Sequence, residues 1–450
     1  MHTLEQLKTG QLKQTKSLRL SDTLTEIPVE LFELADSLEL LDLSNSQLTE
    51  LPDTFAQLQQ LKIVFFNNNK FTHFPKVLAR CPQLSMVSFK NNDIEHIAPQ
   101  ALSPNLRWLI LTDNNLTQLP GSIGKLHRLQ KLMLAGNQLQ ALPVELANCQ
   151  NLELTRLSAN QLQTLPEWLL SLSKLSWLAY AGNPFCRQDN SASKADVPII
   201  ETADIELQEI LGSGASGIIY KGQWQVGNLG SGNSIANGSD IPKKTLAVKL
   251  FKGAITSDGR PEDEMQACMA AGTHPHLVSV LGQLSHPIDG KQGLVFSFIP
   301  DTYNNLGGPP SLESCTRDTY PAETTFTLPV ALEIARGIAS AANHLHQRGM
   351  MHGDLYAHNT LINDTGHSIL GDFGAASFHH HPDAARTLEQ LEVRAFGCLL
   401  DDLLRHCPPT QNPTEGTRLA KLQQLRQDCL HPVPSERPVF AAISNRLESL

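Results

Sequence analysis

Six asparagines, Asn69, Asn92, Asn114, Asn137, Asn160 and Asn183, recur at steps of 23, 22, 23, 23 and 23 residues. A second ruler runs in phase with them. Pro75, Pro120, Pro143 and Pro166 each lie six residues beyond an asparagine, Pro28 and Pro52 extend the series upstream, and Ala98 fills the one gap. Two rulers in register specify a repeat array, whose units cannot bury their apolar faces alone and must stack on their neighbours.

The unit reads L-x-x-L-x-L-x-x-N-x-L-x-x-L-P, clearest in LHRLQKLMLAGNQLQALP from Leu126 to Pro143. Its L-x-L centre has the period of a strand, so Leu132 and Leu134 face inward while Met133 faces out. The asparagine stands where the chain leaves the strand, and its amide can both donate to and accept from backbone groups that the turn leaves unpaired. The residues from each proline onward, such as Pro166-Glu167-Trp168-Leu169-Leu170, suit a short helical or irregular return. This unit resembles the leucine-rich repeat family, which implies a curved α/β solenoid of about eight repeats between Ser17 and Phe185. Outward strand positions would form its concave face. They carry Phe65, Met86, Trp108, Met133 and Trp177 beside Asp42, Lys90, Asp113, Lys131 and Arg156, a mixture that suits a protein or peptide ligand.

Only five of the 29 glycines precede residue 200, so a second architecture follows the repeats. Residues 1–190 are assigned to the repeat domain, 191–204 to a polar linker and 205–450 to a second domain, with a Gly/Asn/Ser-rich surface insertion from Val226 to Lys244. Each part satisfies its own apolar pattern, so residues from about 191 onward are expected to fold and bind nucleotide alone.

In the second domain, ILGSGASGIIYKGQW places Gly212, Gly214 and Gly217 in a G-x-G-x-x-G turn. The turn leads into Ile218, Ile219 and Tyr220, which favour a strand, so it is a strand-turn-strand and not the entry to a dinucleotide-binding helix. Glycine there lets backbone amides approach phosphate oxygens. LAVKLFK then sets Lys249 on an apolar strand, MMHGDLYAHNTLIN and SILGDFG follow, and Asp354 stands five residues before Asn359, which stands thirteen before Asp372. Together these resemble the protein kinase family over roughly Ile205 to Leu450, which implies a bilobal α+β domain.

The resemblance implies ATP and Mg²⁺ as cofactors and assigns roles to residues. Asp354 would accept or orient the acceptor hydroxyl proton, Lys249 would meet the α- and β-phosphates, and Asn359 and Asp372 would ligate the metal. Glu264, in preference to Glu262 or Asp263, would hold Lys249. In LVFSFIP, Phe296 takes the gatekeeper position and Phe298 lies along the hinge that holds adenine, while Arg437 belongs to a closing R-P motif. Departures accompany the match. Gly353 replaces the arginine that usually precedes the catalytic aspartate, Tyr356 and His358 fill slots that carry lysine or arginine in the family, A-P-E is absent, and the activation segment is short. His379-His380-His381 within it reads as an exposed run.

The reading is a bacterial-type, cytoplasmic fusion of leucine-rich repeats with a protein kinase acting on a protein hydroxyl, serine or threonine before tyrosine. A pseudokinase scaffold and a kinase of small-molecule hydroxyls are the alternatives. Lys+Arg 35 against Asp+Glu 45 gives a formal charge of -10, which argues against nucleic acid as a partner. No run approaches the roughly 18 apolar residues of a membrane span, the first residues lack the apolar core of a signal peptide, and the eight Cys show neither zinc spacing nor a disulfide framework.

Overall fold

The computed structural model describes residues 1–186, 197–225, 243–253, 255–379 and 382–450. Residues 191–196 of the expected linker, most of the Val226 to Lys244 insertion, and His380 and His381 lie outside the described residues.

Eight three-residue strands form one parallel sheet in sequence order: β1 Ser17–Arg19, β2 Leu40–Asp42, β3 Ile63–Phe65, β4 Met86–Ser88, β5 Trp108–Ile110, β6 Lys131–Met133, β7 Leu154–Arg156 and β8 Trp177–Ala179. The register advances one repeat per strand, with Leu109 opposite Leu132 and Leu132 opposite Thr155. The buried asparagines act as the pattern requires. Asn137 accepts from Leu116 N at 3.0 Å through Oδ1 and donates to Leu111 O at 2.8 Å; Asn69 repeats this with Leu48 N at 2.9 Å and Leu43 O at 3.0 Å. After Pro28, Pro52, Pro75, Pro120 and Pro143 the chain makes a short 3-10 helix, and after Pro166 a short α-helix, α2 Glu167–Leu170. Proline fixes the extended entry to each turn and has no N–H to leave unpaired. Upstream, a capping box closes α1 Leu4–Lys8, in which Thr3 and Gln6 satisfy each other's backbone.

The second half begins with β9 Ile199–Ile200, which falls within the stretch read as linker but pairs in parallel with β13 Val280–Leu284. The sheet order is β10-β11-β12-β14-β13-β9, with β10 Ile205–Ser213, β11 Gly217–Gln225, β12 Lys243–Phe251 and β14 Gly293–Ser297. Helix α3 Pro261–Ala271 crosses between β12 and β13. Pro261 opens it, Glu262, Asp263 and Glu264 fill its first turn, and their charges suit the positive end of the helix.

The larger lobe is helical. Helix α4 Leu328–Gln347 buries Ala331, Leu332, Ile334, Ala335, Ile338, Ala339, Ala342 and Leu345, small and aliphatic residues at helical spacing that let neighbours pack closely. It stops at Arg348, and Gly349 follows at a φ of 72°. Helices α5 Pro382–Arg405, α6 Pro413–Cys429 and α7 Phe440–Glu448 complete the lobe. Four short strand pieces frame its loops: β15 Asn304–Asn305, β16 Met350–Met351, β17 Thr360–Ile362 and β18 Ser368–Leu370; β16 also pairs with β19 Ser377–Phe378.

The expectation of two independent cores is corrected. Met133, Leu154 and Trp177 of the solenoid belong to the same apolar cluster as α4 and α5. In return, Met351, Leu388 and Leu391 of the helical lobe join the core of the repeats. The pattern fails to show this because concave-face residues look alike whether they await a ligand or already meet one. Polar contacts reinforce the joint: Trp177 Nε1 donates to Leu355 O at 3.1 Å, and Tyr180 N and Ala181 N donate to Ser377 Oγ at 3.0 and 3.1 Å. The C-terminal part of the concave face is therefore occupied by the chain itself.

Candidate active site

Register places the site residues on one face of the small sheet. Lys249 pairs with Ile219 on one side and Leu294 on the other, and Ala247 pairs with Phe296, so Lys249 and Phe296 share a face while Tyr220, Val248 and Val295 point the opposite way. Phe296 packs against the apolar cluster of the helical lobe. Phe298 lies just past β14, with Lys221 Nζ 5.7 Å from its ring centroid. Lys249 Nζ is paired with Glu264 Oε1 of α3; Glu264 is buried and the Lys249 side chain is 13% exposed. Burial opposes the charge of Lys249, but Glu264 and Asp372 outweigh it and hold the ammonium above its ordinary value. Glu262 is exposed. Asp263 faces the solenoid, where a Cβ on Gly182 would lie 2.7 Å from its Oδ2.

Of the three glycines, Gly217 alone is sterically confined: a Cβ there would come within 2.7 Å of Leu250 O. At Gly212 and Gly214 a Cβ would meet nothing within 4 Å, leaving open space beside the turn that Gly214 N closes onto Gly217 O at 2.9 Å.

The loop between β16 and β17 carries Asp354 and Asn359. Asn359 Nδ2 donates to Asp354 O at 3.0 Å and to Asp354 Oδ2 at 2.8 Å, while its backbone carbonyl accepts from Gly371 N at 2.9 Å. That bond ties the loop to Asp372, whose φ of 56° turns the chain and whose Oδ1 accepts from Gly374 N at 3.1 Å. Phe373 is buried beside His352, 5.2 Å between rings.

Three residues to which the sequence assigns no role at this loop hold it. Glu392 of α5 is buried and accepts from Gly353 N at 2.6 Å, His352 N at 3.2 Å and His346 Nε2 at 2.7 Å. Burial would raise its carboxyl, but these donors hold it below the usual glutamate value. Asp318 accepts from Ala357 N and from His358 Nδ1, both at 2.6 Å. Burial would discharge His358, and Asp318 reverses that, holding its imidazole above the ordinary value. The third is Arg156 of β7. Its guanidinium reaches Asp354 Oδ1, Gly353 O at 3.1 Å and Asp258 Oδ1 at 2.6 Å. Arg156 stands on the concave face in the sequence, but nothing local signals a partner 198 residues away.

The backbone around Gly353 explains the missing arginine. Its φ is 74°, and a Cβ there would lie 2.6 Å from Ala375 O and 2.7 Å from Leu178 O of the solenoid, so no side chain fits. The R-P arginine, Arg437, meets carbonyls instead of a carboxylate: Gln390 O at 3.1 Å, His431 O at 2.9 Å and Ser173 O at 2.7 Å. Burial without a counter-charge pulls its guanidinium down to about 10.

Residues 205–396 match the family model described as protein tyrosine and serine/threonine kinase, and residues 36–94 and 82–139 match leucine rich repeat models. The chain carries leucine-rich repeats and a protein kinase domain. Similar proteins include fibroblast growth factor receptor 1 of Pleurodeles waltl, 24% identical over 275 residues, covering 51% of this chain and 34% of that protein. An L-type lectin-domain containing receptor kinase VI.1 of Arabidopsis thaliana is 28% identical over 212 residues, covering 46% and 26%. Ephrin type-A receptor 8 of Mus musculus is 26% identical over 295 residues, covering 56% and 26%. The chain thus spans about a third of the length of the first of these relatives and about a quarter of the other two. Among the described residues no helix is long and apolar enough to cross a membrane. Within the kinase domain, the lysine strand, α3, the Asp354 loop and the Asp-Phe-Gly turn come together, and the solenoid reaches them through Arg156 at Asp354.

Proposed function

We propose that the protein is an ATP-dependent protein kinase that transfers the γ-phosphoryl group to a protein hydroxyl, serine or threonine before tyrosine, with the repeats recognising a protein or peptide. The observation that carries this reading is the largely buried Lys249–Glu264 pair facing Asp372, because a lysine is kept charged inside a lobe only where an anion is to be met.

Lys249, fixed by Glu264, would hold the α- and β-phosphates, under the Gly212, Gly214 and Gly217 turn, with Phe296 and Phe298 beside the adenine. Mg²⁺ fits the donor set. Asn359 spends its amide nitrogen on Asp354, leaving its amide oxygen for a metal, and Asp372 spends only Oδ1 on Gly374 N. When bound, the ion neutralises charge on the phosphate oxygens. Asp354 takes the acceptor proton. Recognition of a partner falls to the earlier strands, where Asp42 and Phe65 are only half-buried.

Labelled ATP with Mg²⁺ and a mixture of protein acceptors tests the reading, with phosphoamino-acid analysis of the product. Transfer by the wild type that disappears in Asp354→Ala supports it. The burial of Asp354 under Arg156 favours a second reading, a scaffold that binds without transferring; nucleotide binding with no transfer at all would select it. Transfer only to small-molecule hydroxyls would select the remaining alternative.

A further inference from the structure

Arg156 belongs to the solenoid, yet its side chain is spent on the kinase domain. All three guanidinium nitrogens are engaged there, by Asp258, Gly353 O and Asp354, and the side chain is 2% exposed. Burial alone would strip its charge, and the two carboxylates hold it protonated.

The catalytic loop has no lysine or arginine of its own, and the charge that reaches Asp354 from within it is that of His358. From Asp354 to Asn359 it reads D-L-Y-A-H-N, and its one basic residue, His358, is committed to Asp318 at 2.6 Å. Tyr356 lies under Trp177, and Lys249 is committed to Glu264. Phosphoryl transfer is promoted chiefly by fixed positive charge and aligned groups where charge moves. The only guanidinium at Asp354 among the described residues comes from the repeats.

An arginine on the catalytic carboxylate could be a removable plug or a resident part of the site, and the character of the joint decides between them. Separate modules that move apart meet through small, polar interfaces. Here the two cores run into one another through Met133, Leu154 and Trp177 on one side and Met351, Leu388 and Leu391 on the other. The gap left between Trp177, Tyr356, Arg317 and Asp402 is about 10 Å³, room for one water. Such a joint stays closed, so Arg156 is resident. Its geometry is also compatible with transfer. Arg156 takes Asp354 Oδ1 and Asn359 takes Oδ2, which fixes the carboxylate plane and leaves each oxygen a second lone-pair direction for an incoming hydroxyl.

We propose that Arg156 is a positioning residue of the phosphotransferase site: the solenoid lends the catalytic loop the guanidinium it lacks, and the site is complete only with the repeats in place. This rests on the kinase reading above. In the step it serves, the acceptor hydroxyl gives its proton to Asp354 as its oxygen bonds to the γ-phosphorus, and the bond from that phosphorus to the β,γ-bridging oxygen breaks with its electron pair leaving on ADP. Arg156 exchanges no proton; it aims Asp354 and sets a positive charge beside the transfer.

The test uses the full chain as wild type, Asp354→Ala, Arg156→Gln and Arg156→Lys, with Arg394→Gln, which loosens the joint at Lys174 away from the loop, as control. Turnover, KM for ATP and thermal stabilisation by ATP with Mg²⁺ are read for each, with and without added guanidinium ion. Arg156→Gln should lower turnover by about 10²- to 10³-fold, keep KM and nucleotide stabilisation, and regain part of the loss with guanidinium, while Arg156→Lys falls between. Turnover in Arg156→Gln equal to or above wild type would make the arginine a plug or clamp and overturn the proposal. So would a loss that neither lysine nor guanidinium repairs and that nucleotide stabilisation shares. A wild type that binds ATP without transferring it overturns the kinase reading as well, and is recognised because Asp354→Ala then has nothing to abolish.

Discussion

The indole of Trp177 lies flat on the ring of Tyr356, with 4.4 Å between centroids and 6° between planes. One ring comes from the last strand of the solenoid and the other from the catalytic loop, so the stack joins the repeats to the kinase domain at the residue next but one to Asp354. An offset aromatic pair of this kind adds about 0.5–1.5 kcal/mol beyond the area it buries.

Trp177→Ala is therefore expected to cost about 3–5 kcal/mol, the range for emptying a buried tryptophan site. Calorimetry should show one cooperative transition for wild type, moved down as a unit in the variant. A kinase fragment beginning at residue 197 should be unfolded or aggregated, because Met351, Leu388 and Leu391 lose their cover. Two separate transitions in the wild type, or a well-folded fragment, would contradict the shared core.

Gly353→Ala puts a methyl group into a left-handed backbone position already closed by two carbonyls. The expected loss is about 1–3 kcal/mol, read as a lower urea midpoint at unchanged slope. Gly353→Arg, which restores the residue usual in the family, should be worse. An arginine variant as stable as wild type would show that Leu178 can withdraw and that the joint is looser than its geometry implies.

Phosphorylation of the segment after Asp372 is not expected to control the enzyme. Ser377 is buried, donates to Ala375 O at 3.2 Å and accepts from two solenoid amides, so its hydroxyl is unavailable. Phosphatase treatment should leave the rate within a factor of about two, whereas Ser377→Glu should destabilise the chain, since it buries a charge where backbone groups now meet a hydroxyl. A rate that falls about tenfold on dephosphorylation, some 1.4 kcal/mol in the barrier, would restore ordinary loop control.

Acid sensitivity should follow from the histidines at the junction of the lobes. His274 sits 4.9 Å from the ring of His344 and 5.7 Å from that of His276. Burial first, then these neighbours, lower it from 6.5 to about 4. Its folded value is depressed, so between those limits the unfolded chain takes up a proton that the folded chain refuses, and stability is lost as the pH falls from 6.5 towards 4. Unfolding midpoints of wild type and His274→Gln across that window check this. The variant should have the flatter profile, and parallel profiles would remove His274 as the source.

The periodic parts of the molecule were open to reading. Asparagine and proline rulers give strand, turn and return because each repeat makes the same local bonds, and the spacing of Asp354, Asn359 and Asp372 gives the cleft because one short loop and one turn hold them. Glu264 and Asp263 part because neighbours on a helix point apart, one to Lys249 and the other to the solenoid. What escaped depends on contacts between distant segments. Arg156 and Asp354 have no shared period, and Met133 or Trp177 on a concave strand has the same pattern whether it faces solvent, a ligand or the chain's own helices. Glu392 looked like any helix residue until the backbone of Gly353 was placed against it. Gly353 itself was read as a loss, although the approach of Leu178 makes it a fit.

The joint at Arg156 also acts as a ruler on the array. Neighbouring strands of a sheet stand about 4.8 Å apart, so one repeat added between β7 and the catalytic half would carry the guanidinium a full strand away from Asp354. A repeat added ahead of β2 would leave that end of the stack where it is. Growth and diversification of the solenoid are thus confined to the strands remote from Arg156, where the half-buried Asp42 and Phe65 lie, while the strands nearest Asp354 are as fixed in number as the residues of the catalytic loop.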